Sequence, residues 1–366
     1  MPIDSIPINE LFPADYARAR EKFLWAAGEA GAALHAFAHP SLRGPTGGAL
    51  SIDVAVLGPA DASRCLLLIS GTHGVEGFAG SGCQVGFFRD AWHGALAANT
   101  CAVLVHALNP HGFAWLRRVN EDNIDLNRNF QDFTQPMPPG DDYDRIHALL
   151  IPADWDGPAR AAADAGLQAF VQRRGMAALQ AAVSGGQYTH PDGLFFGGRA
   201  ATWSSLIFKR ILATLVPRDA TRLVAIDLHT GLGPVAYGEP ILVGGTPAQR
   251  DLAKARFGAE VKVLEAGESA SSKLTGTLAN AVHAGREERD VTFLGLEFGT
   301  VPVPEVLTAL RGDHWLHGGH LDSPLSGQIK KRMRDAFYVD APWWRAAVYG
   351  RTADFVSRAA RALGAT

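Results

Sequence analysis

The sequence predicts an α/β protein with a mostly parallel mixed sheet flanked by helices. Four apolar runs of strand length, Cys65–Ile69, Cys101–His106, Arg222–Leu228 and Val291–Gly299, recur along the chain. Continuous runs of this kind mark strands covered on both faces. Helix-like stretches separate them, and alternation of strands with helices builds a largely parallel sheet. No internal repeat or low-complexity tract breaks the pattern.

Taken in order, Pro13–Phe37 is Ala-rich and helix-like, with Phe23, Leu24, Ala27 and Leu34 at compatible spacing. Leu50–Leu57 alternates as a half-buried strand, and Gly58-Pro59 is expected to turn it into the Arg64 strand as an opening hairpin. A helix is expected over Ser81–Leu96, packed on the sheet. The next run ends at His106, which reads as a satisfied core histidine. Leu116–Phe130 is a polar, irregular loop with two adjacent arginines and several carboxylates, the composition of a substrate-facing loop.

The stretch 134–217 leaves the strand-helix rhythm and is expected to be an insertion into one catalytic domain spanning 1–366. It holds a prolyl break at Pro136–Pro139, an Ala-rich helix over Ala159–Val183, and a Gly and aromatic loop over Gly185–Ser205 that either walls a pocket or packs the insertion. Beyond it, a strand at Pro240–Val243, helices at Ala248–Phe257 and Thr277–His283, and the Val291 strand complete the sheet region. Val303–Trp315, Ser323–Phe337 and Pro342–Leu363 read as covering helices.

Composition narrows the partners. Of 366 residues, 47% are hydrophobic and 19% charged, which is ordinary for a globular chain and argues against disorder. A formal net charge of -3 provides no basic field for nucleic acid or an anionic membrane, so a small or peptidic partner is favoured. Three cysteines, two of them in strand-like runs, do not suggest a disulfide framework. The first twenty residues lack a charged segment followed by an apolar one, and no run of about eighteen apolar residues occurs, so a cytoplasmic protein is expected.

The chemistry gathers at Arg64–Gly80, where an apolar run feeds a Gly-rich turn carrying His73 and Glu76. Ligands in α/β sheets sit at the carboxyl ends of strands, so this pair is well placed to converge on one ion. Gly71, Gly74 and Gly77 bracket it, offering positive-φ turns and room beside the backbone. Zn²⁺ favours imidazole and carboxylate, and a catalytic site supplies three protein ligands. His229 is the best third ligand, because it ends the second buried-strand pattern. Glu297 sits inside an apolar run, where burial demands a partner. His111, His190, His283, His314, His317 and His320 read as structural. Gly318 and Gly319 argue against a helical metal face for the last three.

The motifs His73-x-x-Glu76, Asp125–Phe130 (DLNRNF), Asp227–Gly231 (DLHTG) and Gly295–Thr300 (GLEFGT), in this order, resemble the zinc carboxypeptidase superfamily of M14-like metallopeptidases. Within it the chain resembles the bacterial branch DUF2817, also through ALRGDHWLHGGH at Ala309–His320. The resemblance implies a carboxypeptidase-like fold and one Zn²⁺ held by His73, Glu76 and His229, the His₂Glu set of carboxypeptidase A. It implies that Asp125 fixes the His73 tautomer and that Glu297 is the general base. Asn127 and Arg128 would hold the substrate's free carboxylate, and Arg117 or, by preference, Arg118 would polarise the scissile carbonyl. The implied activity is hydrolysis of a peptide or amide bond next to a free carboxylate. The alternative is deacylation of N-acyl amino acids, as in aspartoacylase and succinylglutamate desuccinylase. A pocket-closing tyrosine has three candidates, Tyr188, Tyr237 and Tyr349.

Overall fold

The computed structural model describes residues 3–272 and 274–364. Its centre is an eight-stranded mixed sheet in the order β1-β2-β4-β3-β5-β8-β6-β7. The strands are β1 (Ala33–Arg43), β2 (Ala49–Leu57), β3 (Arg64–Ser70), β4 (Thr100–His106), β5 (Arg222–Val235), β6 (Glu239–Leu242), β7 (Lys262–Val263) and β8 (Asp290–Gly299). The four apolar runs become β4, β3, β5 and β8, which lie side by side and parallel. Their carboxyl ends therefore share one edge. β1, β2 and β6 join through antiparallel pairings.

Side-chain alternation divides each central strand between two cores. Leu66, Leu68, Val224, Ile226 and Leu294 pack on one face under the helices Tyr16–Glu29, Gly77–Arg89 and Pro342–Gly364. Leu67, Ile69, Leu223, Ala225 and Phe293 pack on the other, against Trp203–Thr214 and Leu278–His283. Continuing the second parity along β5 and β8 brings Asp227, His229 and Glu297 onto that same face. His229 stands directly opposite Glu297 in the β5–β8 register.

Several expectations are corrected. The first helix stops at Glu29, because Gly31 takes a positive φ of 71°, and Ala33–Phe37 instead begins the exposed edge strand β1. β2 pairs with β1 and β4, so it forms no hairpin with β3; it is also buried through most of its length. The helix expected over Ser81–Leu96 runs from Gly77 to Arg89, and Ala91 turns the chain with φ 49°. Ala159–Val183 is two helices, Pro158–Arg174 and Met176–Ser184, broken at Gly175 with φ 87°. Composition hid this break because alanine favours helix on both sides of it. The cysteines are buried and free. Among the described residues no helix is long and apolar enough to cross a membrane.

Candidate active site

Three elements meet where the parallel strands end. The turn after β3 carries His73 and Glu76, β5 carries Asp227 and His229, and the loop Leu116–Phe130 brings Arg118, Asp125, Asn127 and Arg128. The turn is tightly seated. Gly71 adopts φ 65°, whereas Gly74 and Gly77 have negative φ and serve close packing. A Cβ on Gly74 would lie 2.1 Å from the Gly112 backbone, and one on Gly77 2.5 Å from the Phe113 ring. The last two glycines thus make room for the Pro110–Ala114 helix, not for an ion. Gly74 and Val75 also donate backbone hydrogen bonds to the carbonyls of Arg118 and Arg117, tying the turn to the loop.

His73, Glu76 and His229 converge and are buried. His73 Nδ1 lies 2.9 Å from Glu76 Oε1, His229 Nδ1 3.1 Å from Glu76 Oε2, and the two Nδ1 atoms 3.2 Å apart. Ligands about 2.0–2.1 Å from a tetrahedral ion stand about 3.3 Å apart, so these spacings match a zinc ligand set. The far nitrogens are held as well. His73 Nε2 is 3.1 Å from Asp125 Oδ1, and His229 Nε2 is 2.6 Å from Asp227 Oδ2. In the neutral His229 ring, proton donation from Nε2 to Asp227 leaves the Nδ1 lone pair facing the common point, as in carboxylate–histidine–metal triads, whereas His73 Nε2 is shared between Asp125 and the Arg118 guanidinium, 2.8 Å away.

Charge makes the same case. Glu76, Asp125 and Asp227 contact the two imidazoles, whereas among the described residues Arg118 is the guanidinium that meets them, with its Nη2 2.8 Å from His73 Nε2 and its other nitrogens bonding Glu76 Oε1 at 2.8 Å and Asp125 Oδ2 at 3.2 Å. Burial opposes charging His229, but Asp227 and Glu76 outweigh it and raise that ring's pKa well above the usual histidine range. A carboxylate-rich cluster that draws a proton onto a buried imidazole is one that a divalent cation would satisfy better. Burial also pushes Glu297 up to about 7, with the Glu76 charge adding to the effect; its Oε1 accepts from Leu232 N at 3.0 Å.

The same pocket is lined by His73, Arg118, Asn127, Arg128, His229 and Glu297, and its walls are apolar, including Leu179, Val183, Ile241, Val306 and Leu310. Arg128 is buried, donates to the carbonyls of Asn127 and Ser184 and, among the described residues, pairs with no carboxylate; its Nε has no partner. Phe195 lies beneath both guanidinium groups, 5.0 Å from that of Arg118 and 5.7 Å from that of Arg128. The family model described as "Protein of unknown function (DUF2817)" matches residues 12–351. The chain belongs to the DUF2817 family.

Solved structures similar to this DUF2817 chain include carboxypeptidase A from Helicoverpa armigera, at 15% identity over 96% of this chain and 75% of that one, TM-score 0.45. An aspartoacylase family protein from Mesorhizobium loti is similar at 17% identity over 78% and 66%, TM-score 0.39. The murein-tripeptide amidase of Escherichia coli O157 is similar at 13% identity over 83% and 95%, TM-score 0.34. No curated protein matches the sequence. With every one of these TM-scores below 0.5, the side chains themselves must carry the functional reading.

In this DUF2817 chain, two neighbouring arginines part company. Arg118 faces the pocket, but Arg117 is turned away from it: its Nε bonds Asp313 Oδ2 at 2.9 Å and its Nη2 bonds Asn123 Oδ1 at 3.0 Å. Asn127 reaches the pocket, with its Oδ1 accepting from Leu278 N. None of the candidate tyrosines lines it. Tyr188 is buried and donates to the Arg128 carbonyl, Tyr237 is exposed, and Tyr349 packs near Arg89. Asp227 is the residue that sequence reasoning missed. Its signal was the two-residue spacing to His229, which puts both side chains on one strand face. β5 also continues past His229 to Val235, so this residue sits within the strand and not at its end.

Proposed function

We propose that the DUF2817 chain is a metal-dependent hydrolase that cuts a peptide or amide bond next to a free carboxylate. The observation that carries the proposal is one pocket lined by the two histidines of the His73–Glu76–His229 cluster, by Glu297, and by the buried Arg128 guanidinium, which among the described residues pairs with no carboxylate. His73, Glu76 and His229 would hold the metal, and zinc suits two imidazoles and a carboxylate. When bound, such an ion supplies Lewis-acid chemistry.

The remaining roles belong to the side chains. Arg128, with Asn127 beside it, binds the substrate carboxylate, because a buried guanidinium without an ion pair gains most from an anionic ligand. Glu297, with a pKa near neutrality, takes a proton from the attacking water and returns it to the leaving amine. Arg118 stabilises the negative charge that develops on the scissile carbonyl oxygen. For that it must loosen its bonds to Glu76, Asp125 or His73. The apolar walls exclude water and receive a hydrophobic group next to the bond cut.

Metal analysis of the purified chain, together with a screen of dipeptides against N-acyl amino acids, tests the proposal. Release of amino acids from peptides is expected; release of acids from N-acyl amino acids alone would move the chain to the deacylase reading. Glu297→Gln is expected to retain metal and lose turnover by at least about 100-fold, the scale of general acid–base contributions. Undiminished turnover would remove Glu297 from the mechanism.

A further inference from the structure

The apolar lining of the pocket includes two patches, tied to different parts of the site. One goes with the residues that grip a free carboxylate. Phe293 and Val243 line the pocket and share a core cluster with Leu126 and Leu278, and Leu278 N donates to Asn127 Oδ1 at 2.8 Å. Gly276, with φ 69°, presses on the same stretch, since a Cβ there would lie 2.3 Å from the Arg128 carbonyl oxygen. A group seated on this patch is therefore on the amine side of the bond, attached to the carboxylate that Arg128 holds.

The second patch is tied to Glu297. Leu232 N donates to Glu297 Oε1 at 3.0 Å, and a Cβ on Gly231 would lie 2.9 Å from the Phe337 ring and 4.0 Å from Glu297 Oε1. Thr230 Oγ1 donates to the Phe337 carbonyl at 2.6 Å, which fixes Phe337 beside β5. The helix that ends in Phe337 packs against the helix Val303–Trp315. From the latter, Val303, Val306, Leu307 and Leu310 all line the pocket. Their spacing of three, four and seven residues from the first is one face of a helix, about 10 Å long at 1.5 Å per residue. The face runs from an exposed end to a buried one, Val303 being 41% exposed and Leu310 3%.

Among the described residues, the titratable side chains lining the pocket are His73, Arg118, Arg128, His229 and Glu297, and each already has a part in the site. None is left to pair with a charge on the second patch, so a charged group there is buried without a counter-ion. We infer that the substrate carries a bulky, uncharged, apolar group on the acyl side of the bond cut, and that Val306, Leu307 and Leu310 select it; this rests on the hydrolase reading above. With its carboxylate on Arg128 and its scissile carbonyl beside Glu297, a substrate meets this face only with its acyl side. A hydrophobic side chain on the residue before the bond and an alkyl acyl group share the required chemistry. A group as short as acetyl leaves the face in water.

The test uses the full chain with zinc added and compounds that all end in phenylalanine, so that only the acyl side varies: glycyl, leucyl and aspartyl dipeptides beside acetyl and hexanoyl amides. From glycyl to leucyl, or from acetyl to hexanoyl, kcat/KM is expected to rise at least about tenfold, the scale of methylenes in an apolar pocket, with aspartyl below glycyl. A gain confined to one series identifies the group as a residue or as an acyl chain. Leu307→Asp is expected to lower the leucyl-to-glycyl ratio at least about tenfold. Leu307→Ala, which puts no charge into the fold, should lower it in the same direction, whereas Thr308→Asp, on the next residue and outside the lining, should keep it. Calorimetric titration of the same compounds into Glu297→Gln is expected to give the same order without turnover. Turnover of none with that binding order kept would sink the hydrolase reading and leave the apolar selection standing. The inference is overturned if turnover and binding are indifferent to the acyl group or favour glycyl, acetyl or aspartyl, or if both Leu307 variants keep the parent's ratio.

Discussion

Arg117 and Arg118 are adjacent and chemically identical, yet they lead into two buried polar clusters of opposite character. Arg117 meets Asp313, which is also bonded by Lys330 Nζ at 2.6 Å, and Lys330 contacts His317 Nε2 at 2.9 Å. Two cations share one carboxylate there, and burial together with the Arg117 charge pushes His314 down to about 4 and, for His317, to about 3. Arg118 enters a cluster with three carboxylates, where His229 is pushed the other way. The first cluster is rich in cations, whereas the second is rich in carboxylates and opens onto a pocket. Burial of charge is therefore a poor guide to function by itself; the sign of the imbalance and the space beside it decide.

The largest effect that would test this contrast is expected from Asp313→Ala. It leaves Arg117 and Lys330 buried without their carboxylate, and breaking a buried pair on one side costs about 3–5 kcal/mol. Urea unfolding should register that loss, with metal binding per folded molecule unchanged. A variant as stable as the parent that had lost its metal would invert the comparison.

A somewhat smaller effect is expected from acid. The folded His314 pKa is about 4, below the unfolded value of about 6.5, so the unfolded chain binds the extra proton between those values. Stability from this group is complete above the unfolded pKa and is lost as pH falls towards the folded one. A gap of that size is worth about 3 kcal/mol. Urea midpoints at pH 7 and pH 4.5 should drop less steeply for His314→Gln than for the parent, and equal slopes would mean that His314 takes no part.

How far the site was legible depends on which physical constraint each residue reports. His73, Glu76, His229 and Glu297 stood out because polar groups inside or at the end of apolar runs need partners, and the parallel register then brings His229 opposite Glu297. The four central strands were legible for the same reason, being covered on both faces. β1 was not, because an exposed edge strand carries no apolar run, and an Ala-rich flank made it read as helix. Arg117 and Arg118 were not separable, since a loop has no periodicity from which to read side-chain direction. Asp313 lay in a noticed motif, but its partner is 196 residues away.

The smallest and most selective effect is expected at Asp227. Its Oδ2 holds His229 Nε2 at 2.6 Å, while its Oδ1 accepts from Thr72 Oγ1 at 2.8 Å. Asp227→Asn keeps the volume and a carbonyl oxygen, so the fold should survive. What changes is the negative charge that makes His229 a stronger ligand, and loss of such outer partners typically costs about 10- to 100-fold in metal affinity. Competition with a chelator of known affinity would measure it. Asp313→Asn is the matched control, an equally buried carboxylate on the cation-rich side, and its metal affinity should stay with the parent's. If the two variants weaken metal binding equally, the Asp227–His229 contact has no special bearing on the ligand set, and the contrast between the clusters reduces to stability alone.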